Sequence, residues 1–385
     1  NSTTKESSCF GSCCLSNALF GTEPPIPQQK MYTSEIQGEK LPLVDGQRPS
    51  WKRDPTCGLI PWIRDLKDHV GYQLLVILFF VEHVMRGFVD SLAGQSTYFV
   101  YGSYSVPAPT ISIYSGVVSI PWAMKPIIGL LSDMVPIRGY NKMPYMIMAS
   151  VMGCISYFCI GFLPKEILPI TLIVVCLFFS ALQMSTCDIL SEAKYAEKIR
   201  EVPAYGPHIL SYVWFGMNFG GLIGTGVSGF IIMTFSEKVP YAVAFFPALL
   251  VMIPIGMNYL QESPVSKDEL RERRARFYKQ KEACFLSVIM FLAICMITGC
   301  GLIYSSPKIN CIVSGIVFVV IISSFTIVLS PTIAAFNAWS FLQSSCSVST
   351  GGAGFYFMTD TPEQYPEGPH FSIFFYTTVL GTTVS

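Results

Sequence analysis

Five ionisable residues stand inside stretches that are otherwise apolar: Glu82, Arg86 and Asp90 in one, Lys125 in a second and Asp188 in a third. A charge among apolar side chains is expensive unless it meets a partner or water, so such residues mark places where ions, protons or polar solutes are handled. Glu82, Arg86 and Asp90 lie four apart, on one helical face, where the arginine can pair with both carboxylates. Lys125 has no partner in its own segment and must find one elsewhere, with Asp90 or Asp188 the expected choices. Each has a plainer reading as well. The 82–90 trio can simply neutralise itself within a bundle, and His83, a lone histidine beside a carboxylate, reads as structural. Catalysis has no support, because the chain holds no Gly-rich phosphate loop, no HExxH and no nucleophile elbow. The thirteen cysteines are scattered and form no CxxC pair, so they suggest neither a disulfide framework nor a metal site, and no cofactor is expected.

The elements that must position these residues are membrane-spanning helices. Hydrophobic residues make up 51% of the 385 and charged residues only 13%, against roughly 25% charged in soluble domains, and the mean hydropathy is +0.48. The fold class is therefore all-α and polytopic, in contact with the lipid bilayer. Lysines plus arginines equal aspartates plus glutamates at 25 each, which argues against nucleic acid as a partner. Only helices satisfy their backbone groups in hydrocarbon, and about 20 apolar residues cross it. Spans are expected near 71–95, 112–132, 144–163, 168–190, 207–234, 240–260, 284–304, 311–330 and 332–358, with a tenth starting near Phe371.

This layout divides the chain into a disordered tail (1–68), a first six-helix bundle (69–260), a charged loop (261–283), an extra helix pair (284–330) and the start of a second bundle (331–385). Two six-helix bundles, the second incomplete, are the expected architecture. The start at Asn1 without a methionine and the stop at Ser385 inside an apolar run are read as marks of a partial sequence.

Basic residues between spans favour the cytoplasmic side. Lys52, Arg53, Arg64 and Lys67 precede span one, Arg138 and Lys142 follow span two, Lys194, Lys198 and Arg200 follow span four, and seven more lie between Lys267 and Lys281. The alternate loops hold only Lys165, Lys238 and Lys308, so the N-terminus is expected inside. Charge also sorts the spans: one and four should line a cavity, whereas three and six, without charged cores, should face lipid. Span five carries Gly216, Gly220 and Gly224 at GxxxG spacing, which predicts close helix packing against the other bundle, with Asn218 able to reach the cavity.

Span two ends in Gly129, Ser132 and Asp133, and the turn after it holds Arg138 and Lys142. This resembles the loop signature of the major facilitator superfamily, and the resemblance implies a cytoplasmic gate. Asp133 would accept a charge-assisted hydrogen bond in only one of two bundle arrangements, and Glu192, one turn beyond Asp188, belongs to the same gate. The longer pattern Pro121-Trp122, Lys125-Pro126, Gly129, Ser132-Asp133, Pro136, Gly139-Tyr140, Pro144-Tyr145 resembles the folate-biopterin transporter family. The segment 355–381, with Asp360-Thr361-Pro362-Glu363-Gln364-Tyr365-Pro366, is similar to its trypanosomatid members.

The family implies a secondary active transporter in the plasma membrane that moves folate or a pterin by alternating access with protons as coupling ion. S-adenosylmethionine as substrate and a non-transporting, receptor-like protein are the alternatives. A flat pteridine calls for an aromatic face, from Trp122, Tyr98 or Tyr114, and the carboxylates of folate for a fixed cation, Lys125 or Arg86. Glu82, Asp90 and Asp188 are then ring partners or proton carriers.

Overall fold

The computed structural model describes residues 58–266, 268, 270–272, 274–275, 281–304, 307–347 and 350–384, and all regular structure in them is helical apart from one isolated bridge. Residues 1–57, which include Lys52, Arg53 and most of the expected tail, lie outside the described residues, as do Lys267, Arg273, Arg276 and Lys279. The chain divides into two compact units, 1–71 and 72–385.

In the first unit the last stretch of the expected tail, residues 59–68, belongs to a helix, α1 (Leu59–Val70). Leu59, Trp62, Ile63, Leu66 and Val70 recur at helical spacing, and Gly71 at φ +95° stops the helix with its amide on the Lys67 carbonyl, 2.9 Å away.

The second unit opens with α2 (72–103), one continuous helix whose middle, Phe79–Val89, is π-helical. Such wide turns are rare and concentrate at functional sites; this one holds Glu82, His83 and Arg86. Helix α3 (Ala108–Met134) consists of Ala108–Ala123 and Lys125–Met134 with a break at Met124. Pro126 supplies the break, since it has no N–H and its ring crowds the carbonyl four residues back. Helices α4 (Met143–Phe162), α5 (Ile170–Glu201), α6 (Gly206–Thr234) and α7 (Val239–Gly256) follow. Among the described residues six helices are long and apolar enough to cross a membrane: α3 to α7, counting α6 from Pro203, and 308–328.

The glycine face of α6 has a different partner from the one its spacing suggests. Gly216, Gly220 and Gly224 press on His83 and Phe88 of α2, and a Cβ on any of them would overlap that helix. Gly87 of α2 returns the contact, its absent Cβ falling 2.6 Å from the Met217 carbonyl oxygen. A π-helix is wider than an α-helix, and only glycines facing it let the two axes approach. Further along, Gly229 meets Thr377 and Thr378.

Beyond residue 280, α8 (Lys281–Ile303) and α9 (Pro307–Val328) form a core of Leu286, Ala293, Val317, Ile321 and Phe325, and Phe341 of α10 (Pro331–Ser345) packs against it. The single span expected over 332–358 is two helices, α10 and α11 (Gly351–Thr359). Past the end of α10, Ser347 Oγ donates to the Gln343 carbonyl at 3.3 Å, the kind of local bond by which serine competes with the helix ladder. Helix α12 (373–384) is π-helical over Phe375–Leu380.

A buried ion cluster and the turn beside it

The charged residues of three helices converge halfway along the bundle. Asp188 of α5 accepts from two cations at once: its Oδ1 takes Arg86 NH1 of α2 at 2.6 Å, and its Oδ2 takes Nζ of Lys125 from α3. Arg86 NH1 also lies 3.4 Å from Glu82 Oε2, and Ser191 Oγ donates to Glu82 Oε1 at 2.9 Å. Glu82 is 0%, Asp188 2% and Lys125 6% exposed, so the cluster is dry but electrically balanced, two cations against two carboxylates. Trp122 completes it. Its ring centre lies 4.7 Å from Lys125 Nζ and 5.5 Å from the Arg86 guanidinium carbon, within cation–π range of both.

The helix irregularities serve this arrangement. The break at Met124 frees Lys125 to begin a new helical segment beside Trp122, and the π-turns of α2 lie against the glycine face of α6 while carrying Glu82 and Arg86. Of the two partners expected for Lys125, the structure selects Asp188. The cluster can therefore do what a lone pair cannot. An incoming anion can compete for Lys125 or Arg86 while Asp188 keeps the other cation, and a flat ring can lie against Trp122.

Several expected site residues lie elsewhere. Asp90 is exposed, one turn further along α2. Tyr98 stacks on Phe355 of α11 with ring centres 5.7 Å apart, and Tyr114 sits against Tyr101 at 5.9 Å. Asn218 donates to the Trp214 carbonyl of its own helix at 2.7 Å, in an outward groove lined by Trp214, Phe215, Phe219 and Leu222. His83 bonds the Tyr212 carbonyl at 2.9 Å, in keeping with a structural histidine.

The turn after α3 is a second, separate assembly. Ser132 Oγ caps the Gly129 carbonyl at 2.7 Å, Gly129 rests on Ile189 of α5, and Asp133 stands half-buried in the last turn. Arg138 (φ +55°) and Gly139 (φ +86°) form a two-residue turn closed by reciprocal Ile137–Tyr140 backbone bonds of 2.9 and 3.1 Å. Lys142 reaches Glu197 Oε1 at 3.1 Å, and Lys194 holds the other oxygen at 3.0 Å. Helix α5, 32 residues long, measures about 48 Å against a hydrocarbon layer of about 30 Å, so Glu197 lies in its protruding end. Partial burial pushes the Glu197 carboxyl up, but the Lys142 and Lys194 ammoniums outweigh this and hold it below its ordinary value. Glu192 stands half-buried on α5, between cluster and turn.

Sequence reasoning missed the residue that fixes this turn. Glu262, just past α7, accepts from the backbone amides of Lys142 (3.0 and 3.1 Å) and Met143 (3.0 Å), capping the start of α4 with a carboxylate, as a helix N-terminus favours. Val265 donates to the Gly139 carbonyl at 2.8 Å, and Arg274 NH2 to the last carbonyl of α3, Met134, at 3.1 Å. Nothing in the chain signals these bonds, since they join residues more than a hundred positions apart. Ser191 was passed over as well, although its place three residues after Asp188 on one helix is a local signal.

Helices α11 and α12 join the first six at the end of the bundle away from this turn. Phe355 also meets Phe99 edge-on at 4.9 Å, Tyr376 meets Phe99 at 6.2 Å, and Tyr356 donates its hydroxyl to the Val106 carbonyl at 2.5 Å.

A multi-pass helical membrane protein with a balanced ion cluster sealed inside it is the class these features define. Within that class, a profile of the BT1 family matches residues 86–384, and the chain belongs to that family, the folate-biopterin transporters. Members of the family are transporters and not enzymes. The chain is 29% identical over 213 residues to probable folate-biopterin transporter 6 of Arabidopsis thaliana, covering 55% of this chain and 42% of the relative. It is 27% identical over 185 residues to the folate-biopterin transporter of Synechocystis, covering 47% and 36%. It is 23% identical over 209 residues to folate transporter 1 of Plasmodium falciparum, covering 53% and 40%. The matches thus span about two fifths of each relative's length.

Proposed function

We propose that the chain carries the substrate-handling half of a secondary active transporter for folate or a pterin. The observation that carries this reading is the buried Glu82–Arg86–Asp188–Lys125 cluster under Trp122. In this reading Lys125 and Arg86 receive the substrate's anionic groups, Trp122 stacks on its ring, and Glu82 or Asp188 takes up the coupling proton as the cations turn to the substrate. Residues 69–260 are the first of two six-helix bundles of the major facilitator type, 284–330 an inserted pair and 331–385 the start of the second bundle.

Alternating access then works between the two ends. The aromatic contacts of Tyr98 and Phe99 with α11 and α12 close one end, and the turn with Gly129, Ser132, Asp133, Arg138 and Lys142, with Glu192 beneath it, gates the other. The basic residues on the turn side support a cytoplasmic gate and N-terminus, in the plasma membrane. Uptake of labelled folate, biopterin and S-adenosylmethionine by cells expressing the protein tests the proposal. Folate or biopterin should accumulate faster at acidic external pH. No accumulation of any of the three, with the protein verified at the surface, sinks it.

A further inference from the structure

The geometry points to a water-holding polar seam between α4 and α5 that carries protons to Glu82, with Gln183 as the residue that seats the water. The inference rests on the proposal that the buried cluster takes up a coupling proton, and it supplies that proton's route. Ser180, Gln183, Cys187 and Ser191 of α5 fall within one arc of about 80° at about 100° per residue, and Ser150, Gly153 and Tyr157 of α4 within about 60°. The two stripes meet in antiparallel register. Ser150 Oγ lies 3.6 Å from Cys187 Sγ, and a Cβ on Gly153 would coincide with Gln183 Oε1. Gln183 and Tyr157 are 1% exposed and Cys187 2%.

Gln183 decides the occupant. Neither its Oε1 nor its Nε2 has a hydrogen-bond partner among the described residues. Buried amide groups are almost always paired, and an unpaired one is costly. Water is small enough to reach a carboxamide pressed against a glycine backbone. It meets there the several polar neighbours a buried water needs: the carboxamide itself, and the Ser150 hydroxyl and Cys187 thiol one helical turn along. Both ends of the seam meet carboxylates. Ser191, one turn beyond Cys187, donates to Glu82 Oε1 at 2.9 Å. At the other end Tyr157 feels the charge of the exposed Asp90, which stands about two turns along α2 from Glu82. A proton arriving beside Asp90 moves by exchange, each water or hydroxyl accepting one proton on one side and releasing another on the other. No seam group changes its charge, and the Ser191 hydroxyl hands the last proton to the Glu82 carboxylate, which becomes neutral.

The test uses the whole protein in phosphatidylcholine vesicles and reads water and protons separately. Hydroxyl radicals made in place by an X-ray pulse oxidise side chains that touch water. Tyr157 and Cys187 should therefore be labelled in the parent despite their burial and several-fold less in Gln183→Leu, while Gln183→Asn, which keeps a carboxamide, should stay near the parent. After a drop in pH, the infrared carboxyl band that Glu82→Gln removes should grow several-fold more slowly in Gln183→Leu than in the parent. Should Gln183→Leu not fold, Ser150→Ala carries the same two readouts. Unlabelled Tyr157 and Cys187 in the parent mean a dry seam and overturn the inference, as do equal rates of band growth in parent and variant. A parent with no band that Glu82→Gln removes overturns the route as well, yet leaves Asp188 to take the coupling proton. Failure of the transporter reading itself would show in uptake and not in these signals.

Discussion

The bundle contains two charge assemblies built from the same residue types, and they differ in what surrounds them. In the cluster, Glu82, Lys125 and Asp188 are almost wholly excluded from solvent and Arg86 keeps 17% of its side chain exposed, whereas in the turn assembly Glu197 keeps 46% of its side chain exposed. In a dry site each ion is held by its partners alone, and removing one leaves another stranded. At a wet helix end, water and the helix termini share the load, and single pairs contribute little. The cluster is thus suited to a switch driven by substrate or protons, and the turn to a joint that flexes without unfolding.

The largest effect should follow from Asp188→Ala, which strands Lys125 and weakens the hold on Arg86. Removing one partner of a buried pair costs about 3–5 kcal/mol. A marked fall in the melting temperature of the purified protein, together with loss of uptake, would express this, and a variant as stable as the parent would show that the cluster admits water. Lys125→Ala should abolish uptake while leaving the protein folded and membrane-inserted, because Asp188 retains Arg86. Parental uptake by that variant would remove Lys125 from any transport role.

Glu262→Ala removes the cap from α4, a loss of about 1–2 kcal/mol by analogy with other helix caps. Faster amide exchange at Lys142 and Met143, with the cluster unaffected, is the expected signature, and unchanged exchange would mean that the turn is held by other contacts. The smallest effect is one of pH. Because the Glu197 carboxyl is held below its ordinary value, its contribution is complete above about pH 4.3, the unperturbed glutamate value, and is lost as pH falls through the lowered one. Carboxylate chemical shifts across that range should show Glu197 titrating below a reference glutamate, and in Lys142→Ala the difference should shrink.

Legibility followed the distance over which each feature is specified. The spans, the basic turns and the isolation of Lys125 are properties of twenty-residue windows, because hydrocarbon imposes one length and one structure on any segment that crosses it. The amphipathic α1 was equally local but lay hidden among polar neighbours in a stretch read as tail. Residues assigned by chemistry alone scattered. Tyr98 and Asn218 are the right types for ligand contact, yet Tyr98 stacks on Phe355 and Asn218 lies in an outward groove. Spacing on one helix cannot say which neighbour it meets.

By itself, the sequence determined that this chain is an all-helical membrane protein with ions in its spans and a basic turn after the second span. Those conclusions rest on solvation, which acts residue by residue. Tertiary structure alone decided that Asp188 is the partner of Lys125, that Gly216, Gly220 and Gly224 of α6 serve the widened α2, and that Glu262 caps a helix 120 residues away from it in the chain. Those depend on helix rotation and on backbone approach, to which every packed neighbour contributes at once.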